Sequence, residues 1–194
     1  AVALVFTSNE ATSDFAQADI TESGCSLGTF GTTSSTVYTD TCTASSDGTP
    51  TIAVAASTFN DATGNDNDVS NTYTWTYDGT SPTMTITSST VSSGATTTTA
   101  AIVLVYTTST ATSDFVEADI TESGCNTGTF TTESSTVYGS TCTATSDGTP
   151  TVSVAAGAFN DAVGNDNSVS NTYTWTYDTT GPTMAITSAT VVSG

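Results

Sequence analysis

The residues best suited to chemistry lie in one loop, Phe59-Asn60-Asp61-Ala62-Thr63-Gly64-Asn65-Asp66-Asn67, which returns a hundred residues later as Phe159 to Asn167. Carboxylates and carboxamides at this density can offer oxygen ligands to a hard cation, and Ca2+ takes about 6 to 8 of them in irregular geometry. The same residues also suit turn geometry, since glycine permits a left-handed backbone and Asn bonds back to the main chain. The acidic balance sharpens the first reading. Nineteen Asp and Glu stand against no Lys, Arg or His, so no intramolecular salt bridge can form. Each carboxylate must be solvated, hydrogen-bonded or paired with a cation from solution.

That composition excludes several functions. Without a basic side chain there is no phosphate neutralisation for nucleic acid and no polybasic anchor for an anionic membrane. No serine has a conventional base and no oxyanion has a side-chain cation. Paired carboxylates could hydrolyse a glycoside, but the acids are duplicated in loops instead of flanking one cleft, so an enzyme is not expected. No stretch is apolar enough to span a membrane, and no signal peptide is visible at Ala1.

The loop must be positioned by strands. Thr83–Val91, Ala101–Tyr106, Asp119–Cys125, Thr127–Phe130, Ser135–Thr145, Thr149–Ala156 and Asn171–Asp178 read as seven short strands, from their alternation or continuous apolar character. Residues 107–118 are expected to hold one helical turn, with Ser113 capping Asp114 to Glu117. In the last strand Tyr173, Trp175 and Tyr177 share one face, expected to be core. Seven strands in about 100 residues, with turns every 8 to 12, predict an all-β, immunoglobulin-like β-sandwich.

The sandwich occurs twice. Residue i matches residue i+100, with 68 of 94 comparable positions identical, as in tandem arrays. The expected division is 1–81 as a repeat without its first strand, 82–181 as a complete repeat, and 182–194 as the opening strand of a further one. Two explanations of that offset stand side by side. The spare strand could pair with the first repeat of another molecule by strand addition, or the chain could be a window in a longer tandem array. Cys25/Cys42 and Cys125/Cys142 recur at one spacing. Without His or a CxxC pattern, zinc is a poor reading. A disulfide within each repeat is the expectation, implying an oxidising compartment.

The string Ala11-Thr12-Ser13-Asp14-Phe15, Ala18-Asp19-Ile20, Asp47-Gly48-Thr49, Val54-Ala55-Ala56, Phe59 to Asn65, and Tyr77-Asp78 followed by Pro82-Thr83 resembles the bacterial Ig-like repeats of large surface adhesins. The resemblance covers essentially the whole chain, twice. It implies a secreted protein strung in tandem and often stiffened by calcium between repeats. The paired cysteines and the lack of basic residues depart from that pattern.

Sandwich topology puts the connections after the second and sixth strands at one end and Asp78 at the other. In a linear array Asp78 would face Asp114, Asp161, Asn165 and Asn167, the expected calcium ligands at the junction. By the same logic Asp14, Asp61, Asn65 and Asn67 would meet Asp178 of a preceding copy. The expected function is a structural repeat of an extracellular filament or adhesin stalk, its partners identical subunits or repeats placed head to tail. A carbohydrate-binding module using Trp75 and Trp175, or another cell-surface ligand, is the alternative. An ice-binding surface would need more rows of Thr-x-Thr than one per sandwich.

Overall fold

The computed structural model describes residues 1–190. Strands account for nearly all its regular structure, and the chain divides into two compact units, Ala1–Thr80 and Ser81–Gly194.

In the first unit, β1 (Val2–Thr7) pairs antiparallel with β5 (Val37–Ala44), and β5 also receives β3 (Cys25–Leu27) and β4 (Gly31–Ser34). The facing sheet has the order β2 (Ile20–Ser23), β6 (Thr51–Val54), β7 (Tyr73–Thr74). Alternation along β5 and β6 turns Tyr38, Cys42, Ile52 and Val54 inward, where they meet Leu4, Phe15 and Ile20.

The second unit adds a strand to the same plan. Its first sheet runs β8 (Met84–Ser88), β10 (Ala101–Thr108), β13 (Val137–Ala144), β12 (Cys125–Thr132), and its second runs β11 (Ile120–Ser123), β14 (Thr151–Val154), β15 (Tyr173–Thr174). A short parallel pair joins β9 (Thr96–Thr97) to β16 (Thr176–Tyr177). This is the constant-type immunoglobulin arrangement, four strands facing three. The core is a set of edge-on rings around Phe115, which touches Phe130, Tyr138 and Phe159 with centroids 5.0–5.6 Å apart.

Both disulfides expected from the spacing are present, Cys25–Cys42 and Cys125–Cys142. Each links neighbouring strands of one sheet, β3 to β5 and β12 to β13, and does not cross between the sheets. Closing a loop of this size stabilises a fold by about 3 kcal/mol in the chain-entropy picture.

Several sequence expectations need correction. The helical turn is not at 114–117 but is a 3-10 turn at Glu117–Asp119, with a copy at Gln17–Asp19. The carboxylate of Asp119 reaches back to the Val116 N–H at 2.8 Å, so the acid at the third position, and not Ser113, fixes where the turn begins. Cys125 does not end the strand that starts near Ile120. Gly124, at φ +74°, intervenes where a Cβ would lie 3.3 Å from Pro150 Cα, and there the chain crosses from one sheet to the other. A side chain at that position would meet both the left-handed backbone and the proline. The last strand is not continuous either. Its partner at the break is Pro150, which has no N–H to give, so only a long 3.4 Å bond joins Trp175 N–H to the Pro150 carbonyl. The opening strand is shorter than expected, Met84–Ser88, because the chain then leaves β10 and pairs with the last strand through β9.

Tyr173 and Trp175 are core, as their shared face predicts, and Tyr177 packs against that core. In the first unit the copies differ: Tyr73 and Tyr77 are exposed and Trp75 is only half-buried. Residues 191–194 of the expected spare strand lie outside the described residues.

Candidate functional site

Each unit carries two carboxylate-rich clusters at opposite ends of the strand β6 or β14. At the first, the loop after β6 folds on its own side chains. Asp61 accepts from the backbone N–H groups of Thr63 and Asn65, both at 2.8 Å, and from Asn65 Nδ2 at 2.8 Å. These bonds, led by the Asn65 N–H, hold its carboxyl far below the ordinary carboxylate range. Asp161 repeats the pattern with Val163 and Asn165, and its carboxyl is lowered chiefly by the Asn165 N–H.

Asn67 and Asn167 act as pins for the loop. The Asn167 carboxamide accepts from Ala158 and Phe159 N–H and donates to the carbonyls of Ala155 and Ser168, all within 2.7–2.9 Å. Asn167 is buried, and both faces of its amide are used within the loop. Asp14 ties the connection after β1 to this loop: it accepts from the Thr12 hydroxyl at 2.6 Å and from the Asn60 N–H at 3.0 Å, and these bonds lower its carboxyl. Asp114 makes the matching hydrogen bonds, accepting from the Thr112 hydroxyl at 2.5 Å and from the Asn160 N–H at 3.1 Å. The two loops expected at one end therefore do meet there, joined by hydrogen bonds.

The second cluster is not marked in the sequence, where the Asp-Gly pairs at 47–48 and 147–148 have the form of ordinary turns. Asp147 accepts from Thr179 N–H at 3.0 Å and from the hydroxyls of Thr179 and Thr180, both at 2.7 Å. Asp47 accepts from Gly79 N–H and the Thr80 hydroxyl. The threonine hydroxyls are the largest influence, and both carboxyls lie below their ordinary value. Beside this clip, Asp78 and Asp178 accept from the N–H groups of Thr80 and Thr180. The chain leaving each sandwich is thus fastened to its own turn.

A calcium cradle needs several uncommitted oxygens converging on one point. Within a unit, the oxygens of Asp61, Asp161, Asn67 and Asn167 already accept loop hydrogen bonds, and among the described residues no three acidic side chains converge at metal-ligand spacing.

The first unit has a further feature. A groove of about 830 Å³ runs beside β1, walled by Leu4, Phe6, Phe59, Val54, Asn71 and Tyr73. In the second unit the corresponding space holds β8.

Two stretches, residues 1–77 and 78–177, match the bacterial Ig-like domain, and the chain belongs to that family. No curated protein sequence matches it. Among solved structures it is similar to InvD of Yersinia pseudotuberculosis, at 15% identity and a TM-score of 0.38, over 94% of this chain and 54% of that one. This chain spans about half the length of that structure. Family membership defines a tandem of structural Ig-like modules, and among the described residues no helix is long and apolar enough to cross a membrane.

Proposed function

We propose that the chain is a structural repeat of an extracellular filament or adhesin stalk, not an enzyme, and that its partners are identical units placed head to tail. The observation that carries this reading is the near-verbatim duplication of one family module. Modules whose interactions are chiefly with their neighbours build extended arrays, and nothing in the duplicated loops singles out one copy as a reaction centre. The disulfides suit an oxidising compartment outside the cytosol. Strand donation between copies is the mode of head-to-tail pairing that this reading favours.

Calcium at the junctions is a separable component. Its support is the charge balance, nineteen acids without a basic partner, which obliges the counter-ions to come from solution. Chelation should lower bending stiffness before it unfolds a sandwich; unchanged stiffness and melting in EGTA would remove calcium and leave the stalk intact.

The carbohydrate alternative loses one of its two tryptophans, because Trp175 is fully buried. Electron microscopy of the native material tests the stalk directly. Strings of beads at a constant spacing are expected. Discrete particles whose Trp75 emission is quenched by a soluble glycan would replace the stalk with a sugar-binding module.

A further inference from the structure

In the second unit β8 shows what the groove of the first unit is shaped to hold. Met84 and Ile86 turn inward and are 4% and 2% exposed, while Thr85 and Thr87 face outward. The Asn171 carboxamide clasps the strand at both edges of one residue, accepting from Ile86 N–H at 2.7 Å and donating to the Ile86 carbonyl at 3.0 Å. The backbone N–H groups of Ser168 and Ser109 hold the carbonyls of Pro82 and Thr83 at 2.8 and 2.9 Å. Every one of these recognition points has a counterpart in the first unit. Asn71 lines the groove, and the backbone N–H groups of Asp68 and Asn9 stand where those of Ser168 and Ser109 do the holding.

A strand of the right sequence is present elsewhere in the chain. Pro182–Thr190 is identical to Pro82–Thr90 at seven of nine positions. It forms no ladder, and its Met184 and Ile186 are 90% and 92% exposed. Its end is already shaped like the end of β8: Thr190 N–H donates to Ser188 Oγ at 3.1 Å, as Thr90 N–H does to Ser88 Oγ at 3.2 Å. The segment carries no charge, so it can enter an acidic unit without repulsion.

We propose that the groove of the first unit receives Pro182–Thr190 of a second copy as an antiparallel strand beside β1, a pairing that rests on the filament reading. The register follows from β8 and β10, where Tyr106 faces Ile86 and Leu104 faces Ser88. It sets Phe6 opposite Ile186 and Leu4 opposite Ser188. Met184 and Ile186 then enter the core, Asn71 clasps Ile186, and Tyr73, which lines the groove, meets the incoming strand. Donor and acceptor surfaces lie on different parts of the chain, so the contact is heterologous and can repeat from copy to copy. It also covers the unpaired edge of β1.

Sedimentation of the 194-residue chain over a range of concentrations tests the proposal. A ladder of oligomers is expected, collapsing to monomer with excess synthetic peptide of sequence 182–190 and absent in Ile186→Asp, whose change lies in an exposed segment and leaves both cores untouched. The peptide should shift Trp75 emission to shorter wavelength, an effect lost in Trp75→Phe and not produced by a peptide carrying the Ile186→Asp change. A monomer whose Trp75 ignores the peptide overturns the proposal. A monomer whose Trp75 does respond overturns the second copy as donor and assigns the groove to a strand supplied within one longer chain. Either failure leaves the beaded-stalk test standing, since that test reads spacing and not strand exchange.

Discussion

Two near-copies of one sandwich differ most where their polar interiors differ. In the second unit Tyr106 and Ser140 share a buried hydrogen bond of 2.9 Å between their hydroxyls. In the first, the matching residues are Phe6 and Asp40, and no hydroxyl is available to pair. Asp40 is instead a buried carboxylate receiving Gln17 Nε2 at 2.8 Å, Gly28 N–H at 3.1 Å and Thr41 N–H at 2.6 Å. Position 17 is Gln where position 117 is Glu, and a second carboxylate against Asp40 would repel it. The three residues change as a set. The second difference is the chain beside β1: in the second unit the segment from Val91 to β9, which follows β8, closes the aromatic face, Tyr173 bonding to the Val91 carbonyl and Tyr177 pairing with Thr97, whereas in the first Tyr73 and Tyr77 remain in solvent. Equal folds therefore need not mean equal stability, and monomeric chains should melt in two steps with the first unit melting first.

The comparison breaks most sharply at its aromatic centre. Phe115→Ala should lower only the upper calorimetric transition, costing about 3–5 kcal/mol as a large buried ring leaves a cavity. Phe15→Ala should act on the lower transition alone. Next in size, Ser140→Ala should destabilise the second unit by about 1–3 kcal/mol, because it leaves the fully buried Tyr106 hydroxyl without its partner, whereas Asp40→Ala should cost about 1 kcal/mol, since its donors on Gln17, Gly28 and Thr41 are not themselves buried. Denaturant midpoints of the separate transitions measure both.

Acid should act on the two units in parallel. Asp14, Asp47, Asp61, Asp147 and Asp161 are all held below their ordinary value by hydrogen bonds to the charged form. A carboxyl lowered in the folded state contributes stability above its unfolded pKa, about 4, and loses it as pH falls through the folded value. Melting at about 1 M salt, where repulsion among the acids is screened, should therefore hold steady from neutral pH to about 4 and decline below it. A melting point that rises under those conditions would contradict the role given to these bonds. The smallest effect is expected at Ser57, which takes a left-handed φ of +60° where the second unit has Gly157 at +70°. Ser57→Gly should raise the lower transition by about 0.5–1 kcal/mol.

Much of the architecture was legible because it depends on alternation and repetition. Strand order, the paired cysteines and the inward face of Tyr173 and Trp175 follow from the spacing of apolar and cysteine residues. What was not legible depends on partners distant in sequence. The break in the last strand comes from Pro150 across the sheet, and the crossover at Gly124 depends on that same proline. The burial of Asp40 could not be seen in an alternating strand that gives a charged residue no mark of its side. Asp47 and Asp147 read as turn formers, and only their shared recurrence before a threonine-rich exit hinted that they grip the departing chain. The acidic loop was identified as a cluster, but its oxygens serve the loop itself, a use that composition cannot separate from ion binding.

The placement of the disulfides matters once the molecule carries tension. Cys25 and Cys42 are 17 residues apart and sit on neighbouring strands, as are Cys125 and Cys142. A unit pulled open at its ends cannot pay out the chain between them, roughly 60 Å of contour at full extension. Under oxidising conditions each sandwich is thus a tether with built-in limited stretch, lengthening less per rupture than its residue count allows, and reduction would return that hidden length.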